Sequence, residues 1–428
     1  MNPPEPGPGA APVTTAPAAR LTVPWLHTGP VAHVLAALGR DKARVVGGAV
    51  RDALLGRPVH DVDVATLHPP ETVLSLAEAA GIKAHPTGLA HGTVTLVANG
   101  TPVEVTTLRR DVETDGRHAR VAFTDDWAAD ARRRDFRLNA LYADADGQIA
   151  DYVGGLADAQ AGRVRFIGDP DSRIEEDALR ILRFYRFSAW YAAGDLDVDG
   201  RAACRRLAPT LDRLSAERVR DELLKLLAAD DPGPCVRVLW ADGLLGRVLP
   251  ETGQGGVDRL ARLVAFTRAA PDPGGADDRL LRLGALVAPA QHEPAGDHAA
   301  LASAVAERLR LSTAQAKRLR AALHPAPDRE DLQAAVYRAG QQAVLDRLVL
   351  DDRLSVEVRQ DAIAAVRAFD PPCFPLSGRD ITALGVAPGP AVGAIMRRLE
   401  DQWVAGGFHE DRQELLARAR ALAADDGA

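Results

Sequence analysis

Alternation of apolar and polar residues with a period of two is confined to the first third of the chain, and helical periodicity takes over after about residue 170. A chain patterned this way places its sheet in the head and builds the rest from helices. The segments ARVVGG (43–48), HDVDVAT (60–66), GTVTLVA (92–98) and PVEVTTL (102–108) send successive side chains to opposite faces, as strands do. The last two flank Asn99-Gly100, a dipeptide suited to the positive φ of a two-residue hairpin turn. Helix-like AVRDALLGR (49–57) and PETVLSLAEAAG (70–81) fall between strands, giving a mixed α+β front. Helical stretches then run on, broken at ETGQGGVD (251–258), APDPGGADD (270–278) and PAQHEPAGD (289–297). The expected architecture is an α+β head with a small mixed sheet, followed by an all-α neck, body and tail.

At 428 residues, 46% of them hydrophobic, the chain can build two or more domains, and no apolar run is long enough to cross a bilayer. Residues 1–20, rich in Pro, Ala and Gly and without the apolar centre of a secretory signal, are expected to be a disordered tail on a cytoplasmic protein. Cys204, Cys235 and Cys373 lie too far apart for a disulfide framework or a zinc site and are expected to be buried thiols. A net charge of −7 excludes an all-over basic coat. Arginines nevertheless cluster in RRRDFR (132–137), RILRFYR (180–186), LRLGALV (281–287) and ERLRLSTAQAKRLR (307–320). The later clusters read equally as a track for a polyanion or as solvated helix faces.

The stretch VVGGAVRDALLGRPVHDVDVAT (45–66) concentrates the chemistry. Gly47-Gly48 ends a strand and opens a helix, which either brings backbone amides close to a phosphate or is a tight turn without a ligand. Arg51 follows on the helix. Asp61 and Asp63, two apart on a strand, would present two carboxylates on one face, a hard-oxygen donor set for magnesium. Glu104, between Val103 and Val105, would face away from those valines and could join the aspartates as a third carboxylate.

GGAVRD followed by DVD resembles the signature of the polymerase-β nucleotidyltransferase superfamily. The rest resembles one branch, the class II tRNA nucleotidyltransferases (CCA-adding enzymes) and related bacterial poly(A) polymerases. RRDFRLNALY (133–142), DYVGGLAD (151–158), EEDALRILRFYRF (175–187) and LSAERVRDELLKLL (214–227) resemble the second to fifth motifs, in order, and PLSGRDITALGVAPGPAVGAIMRRLEDQW (375–403) resembles the tail of bacterial members. The resemblance implies a head at 21–160, a neck at 161–230 and a tRNA-binding body and tail at 231–428. It implies template-independent addition of CCA to the tRNA 3′ end from CTP and ATP, with Mg2+ on Asp61 and Asp63 and Glu104 beside them. Gly47, Gly48, Arg51, Arg134, Asp135, Asp177, Arg180, Arg183 and Arg186 would bind the nucleotide. A poly(A) polymerase, a CC- or A-adding enzyme and a non-catalytic RNA-binding protein are the alternatives.

Within these motifs, Arg134 would reach the phosphates, Asp135 the ribose, and Asn139 would fix a turn. Asp151, Gly154, Gly155 and Asp158 would form a hinge. Cytosine and adenine share an exocyclic amine beside a ring-nitrogen acceptor, the complement of a carboxylate next to a guanidinium, and Asp177 with Arg180 would supply that pair. Ser215 would cap the next helix. The charged segment 108–127 resembles the flexible loop of full CCA-adding members. Scattered histidines such as His292 and His298 offer no phosphohydrolase site.

Overall fold

A computed structural model describes residues 20–114, 119–269, 279–288 and 298–425, and the chain divides after Val248 into two compact units. The first unit is built on nine strands: β1 (Ala43–Val46), β2 (Asp63–Thr66), β3 (Lys83–Gly88), β4 (Thr93–Ala98), β5 (Thr101–Thr107), β6 (Arg109–Thr114), β7 (Ala119–Phe123), β8 (Leu141–Ala143) and β9 (Ile149–Asp151). Seven form one sheet in the order β3-β4-β5-β2-β1-β8-β9, and β6 pairs with β7 separately. Every neighbouring pair is antiparallel except β2 and β5, which run parallel. The mixed sheet expected from the alternating segments is therefore present.

Register settles which side chains share a face. Val45, Val64, Val105 and Val94 are successive cross-strand partners, all fully buried. The next register position carries Tyr142, Val46, Asp63, Glu104 and Thr95 across five strands, on the opposite face. At the β4–β5 turn Asn99 and Gly100 adopt φ values of 49° and 79°, as a primed hairpin turn requires. The segment 108–127, expected as a loop, instead holds the β6–β7 hairpin, in which Arg109 pairs with Phe123; residues 115–118 at its tip lie outside the described residues.

Helices complete the unit, and the sheet region and the neck share a core. Phe136, from the second motif, sits 4.8 Å from Phe166 and 5.4 Å from Phe187 between ring centroids, and Phe166 stacks on Phe184 at 5.5 Å. Two of these rings belong to the helix Leu179–Tyr191, the arginine helix of the fourth motif. Arg20, assigned to the tail from sequence, is pinned by an isolated bridge to Gln148 and donates from Nε to the Asp146 carbonyl at 2.8 Å; residues 1–19 lie outside the described residues.

The second unit is helical from Gln254–Ala269 to Arg412–Asp425. One core gathers Leu263, Phe266, Leu281 and Val344, and another Ile381, Ile395, Leu399 and Trp403. The expected break at ETGQGGVD is shorter than the segment: Glu251, Thr252 and Gly253 separate two helices, the next helix already starts at Gln254, and Gly256 within it lets Leu286 approach so closely that a β-carbon would sit 1.9 Å from its carbonyl oxygen. The other two expected breaks lie outside the described residues, as does His292. The later arginine clusters are partly turned inward: Arg282 is buried, and Arg318 donates to the buried Asp346 at 2.7 and 3.0 Å. Cys204 and Cys235 are buried as expected, whereas Cys373, in a proline-flanked connection that cannot bury its backbone in a helix, is exposed. Among the described residues no helix is long and apolar enough to cross a membrane.

Candidate active site

Asp63 opens β2, and its cross-strand partners are Val46 on β1 and Glu104 on β5. Glu104 is exposed between buried Val103 and Val105, as the alternation predicted. Asp61 lies before the strand rather than on it. β1 ends at Val46, the partner of Asp63, and the chain then turns at Gly47, so no ladder continues alongside Asp61 to hold it in the pleat. Protein crowding raises the Asp63 carboxyl above its ordinary range, Glu104 raises it further, Arg134 opposes the shift, and Asp61 adds to it. Three oxygen-donor side chains that repel one another suit a hard divalent cation, which would relieve that repulsion. Among the described residues, no group of three or more His, Cys, Asp or Glu side chains is already gathered as a metal cage.

The diglycine turn lies next to this acidic corner. Gly47 has φ 75°, and a β-carbon there would meet Arg134 Nη1 at 3.6 Å and the Asn139 carbonyl at 3.7 Å. Only glycine adopts this conformation without strain. The helix Gly48–Leu54 then carries Arg51 back beneath Gly48. The Arg51 guanidinium is buried. It donates to Asn139 Oδ1 at 2.5 Å and to both oxygens of Asp52 at 3.0 and 2.9 Å, and lies 4.0 Å from the Tyr191 ring centroid. Tyr191 in turn donates its hydroxyl to Asp52 at 2.9 Å. Arg51 thus ties the diglycine helix to the arginine helix. Arg134 is held by Asp130, which accepts from its Nη2 at 3.1 Å and from the Tyr142 hydroxyl at 2.7 Å. Burial pushes the Asp130 carboxyl up, but Arg134 and Arg133 outweigh it and hold the group ionised.

The second and fourth motifs interlock. Asp135 is buried; its Oδ1 accepts from the Phe136 amide at 2.8 Å and from Asn139 Nδ2 at 3.2 Å, and its Oδ2 accepts from Arg183. Arg183 and Arg186 both approach Glu222, at 3.6 and 3.1 Å. The side chains of Asp177 and Arg180 are not paired with each other; the two residues meet only through the backbone, where the Arg180 amide donates to the Asp177 carbonyl at 3.0 Å. Arg180 pairs at 2.5 Å with Glu176, the last residue of the preceding helix Pro170–Glu176, and donates to the Arg173 carbonyl at 2.9 Å. Asp177 accepts from the Leu179 amide at 3.1 Å and from Arg218 at 2.7 Å. Asp177 lies just outside the helix Pro170–Glu176 in extended backbone, so the three-residue spacing to Arg180 does not bring the pair together.

The third motif forms a capped turn: one carboxylate, Asp151, accepts from four successive amides, Val153 to Leu156, at 2.9–3.0 Å. Ser215 stands at the N-cap of the helix Ala216–Leu227 in extended backbone, but its side chain makes no cap bond. The sequence reading missed Asp52, Asp130, Glu176, Arg218 and Glu222. Glu222 carried a signal, being a charged residue at a core-facing position between Val219 and Leu223–Leu224.

Residues 43–165 match the family described as Poly A polymerase head domain, and residues 195–254 match the one described as Probable RNA and SrmB-binding site of polymerase A. The mitochondrial CCA tRNA nucleotidyltransferase 1 of Mus musculus is 32% identical over 388 residues, spanning 87% of this chain and 85% of its own length. The chain belongs to the CCA-adding tRNA nucleotidyltransferase family. A bacterial CCA-adding enzyme, from Lacticaseibacillus paracasei, is 32% identical over 92% of this chain and 96% of its own. Among solved structures, the Bacillus stearothermophilus CCA-adding enzyme in complex with CTP superposes with a TM-score of 0.73 at 26% identity, covering 94% of this chain and 100% of that one. A Thermotoga maritima CCA-adding enzyme complexed with tRNA has the same fold, with a TM-score of 0.63 at 19% identity. The head fold and the helical remainder of this chain are those of the CCA-adding family.

Proposed function

We propose that this chain is a template-independent tRNA nucleotidyltransferase that adds CCA to the tRNA 3′ end from CTP and ATP. The observation that carries the reading is the likeness to CCA-adding enzymes along 87–92% of the chain rather than over the head alone. A small-molecule nucleotidyltransferase would not need the helical remainder.

In this reading Asp61 and Asp63 hold Mg2+ with Glu104 beside them, and the bound ion supplies neutralisation of phosphate charge and activation of the attacking hydroxyl. The Gly47–Gly48 turn admits the triphosphate close to the backbone, and Arg134 meets its charge. Arg51, Asp135, Arg183 and Arg186 support the nucleotide through the network that joins head to neck. Asp177 and Arg180 read the base edge, each exchanging its present partner for the nucleobase. The functional division follows as a head at 21–160, a neck at 161–230 and a tRNA-binding body and tail at 231–428.

The test offers tRNA transcripts ending before CCA, after C and after CC, with labelled CTP or ATP. Addition of two C and one A, then arrest, is the expected result. Long A tracts would favour polyadenylation, the activity named in the description of the matched head family. Loss of the A step alone would make this a CC-adding enzyme.

A further inference from the structure

The row of side chains containing Asp63 and Glu104 continues across the sheet. Thr95 of β4 is the partner of Glu104, and His85 of β3 is the partner of Thr95. Thr106, two residues beyond Glu104, lies opposite Thr93. At about 4.8 Å per strand, the row from Asp63 to His85 spans ~14 Å on one face.

The two faces of this sheet half differ. On the other face, Val94, Leu96, Val103 and Val105 are buried where the helices Pro30–Leu38 and Pro70–Ala79 pack against the strands. Threonines there spend their hydroxyls on backbone: Thr66 donates to the Lys42 carbonyl at 2.9 Å and Thr107 to the His68 carbonyl at 2.8 Å. On the row's face, His85 and Thr87 are exposed, and Thr93, Thr95 and Thr106 are half-buried. Their hydroxyls meet one another across strands, Thr93 with Thr106 at 3.1 Å and Thr87 with Thr95 at 2.8 Å. A hydroxyl carries one proton and two lone pairs, so each such pair keeps capacity for a further partner.

We propose that Thr95 and Thr106 seat the terminal ribose of the RNA acceptor strand beside Glu104 and read its 2′-hydroxyl, with His85 directed toward the preceding phosphate. The inference rests on the tRNA nucleotidyltransferase reading and deepens it. Asp63 has two flanks. The β1 flank carries the diglycine turn and Arg134, which suit a triphosphate. The β5 flank carries Glu104 and then hydroxyls, which suit a sugar, and the strand that supplies the attacking 3′-hydroxyl must end there. The 2′-hydroxyl, a donor and an acceptor, is the group by which a protein tells RNA from DNA.

The experiment measures CTP incorporation by wild type, Thr95→Val, Thr106→Val, the double valine variant and Thr95→Ser on a tRNA lacking CCA, and on the same tRNA with a 2′-deoxy terminal nucleotide. The 2′-deoxy end should lower wild-type kcat/KM for tRNA by about tenfold, the worth of one hydrogen bond. Each single valine variant should lose part of that factor on the ribose end, become less sensitive to the deoxy change, and keep its KM for CTP, with the double variant insensitive; Thr95→Ser should keep wild-type sensitivity. Valine variants as sensitive to the deoxy end as wild type would overturn the proposal, as would a loss carried by the KM for CTP. Absence of CTP incorporation by wild type would instead overturn the parent reading.

Discussion

The Arg183 guanidinium donates through Nε and Nη2 to one oxygen of Asp135, at 2.7 and 2.5 Å, across 48 positions of sequence. The bond ties the second motif to the fourth, and hence the sheet region to the arginine helix. Burial pushes the Asp135 carboxyl up, but Arg183 and the bonds from Asn139 and Phe136 more than offset this and hold it below its ordinary range. A carboxyl depressed in the folded state stabilises above its unfolded pKa, roughly 3.9, and that contribution is lost as pH falls through the folded value. Asp135→Asn should therefore cost about 3 kcal/mol at neutral pH. Its Tm deficit against wild type should shrink below about pH 4. A deficit constant from pH 7 to pH 2 would show that the charge contributes nothing.

Asp63 sits among like charges, so removing its charge relieves repulsion while deleting the proposed metal ligand. Asp63→Asn should keep or slightly raise Tm and lower kcat for both CTP and ATP by at least about a hundredfold. Near-normal transfer of either nucleotide would end the metal-ligand assignment.

Base choice is testable separately from chemistry. Asp177→Ala removes the carboxylate that Arg218 now occupies. With the carboxylates at Asp63 and Glu104 untouched, the ratio of kcat/KM for CTP over UTP should fall roughly ten- to a hundredfold, the worth of a bond to a charged group. An unchanged ratio would make Asp177 and Arg218 a purely structural pair.

The paired glycines of the first and third motifs should fail for different reasons. At Gly47 an added β-carbon meets only ordinary contacts, so alanine suffers only from the backbone, φ 75° with ψ −125°, a glycine region outside the left-handed helical well, at a cost of about 2 kcal/mol. At Gly155 it would lie 2.0 Å from the Arg137 carbonyl oxygen, a backbone atom that cannot yield. Gly155→Ala should lose at least about 3 kcal/mol, read by urea midpoint. Equal losses at the two positions would contradict this division.

Elements were legible where pattern and turn chemistry agreed. β4 and β5 alternate cleanly around Asn99-Gly100, and Glu104 stood out as the one acid among buried valines. β3 was hidden because KAHPTG is polar and holds a proline, and β8 and β9 because three residues display no period. The β6–β7 hairpin read as loop because β6, RRDVET, is charged, which hid the partner of the more apolar β7, ARVAF. In the site, residue types were legible but partners were not. Asp177 and Arg180 were expected to act side by side, yet each side chain found a different partner because extended backbone at Asp177 interrupts the helix. Asp130 and Asp52 became visible only in the fold, where they accept from Tyr142 and Tyr191, whereas Glu222 was already marked in the sequence as a charge at a core-facing helix position.

The single parallel pairing, β2 with β5, has a consequence for how activity can arise. Parallel neighbours cannot be joined by a tight turn, so the chain between Asp63 and Glu104 must cross over through the helix Pro70–Ala79 and the β3–β4 ribbon before the two carboxylates meet. Loop closure over such a span precedes any reward from the contact. On the proposed assignment of the site, partly folded chains lacking that closure would hold the carboxylates apart and leave nucleotide unreacted. Recovery of nucleotidyl transfer on refolding thereby becomes a clock for the closing of the sheet.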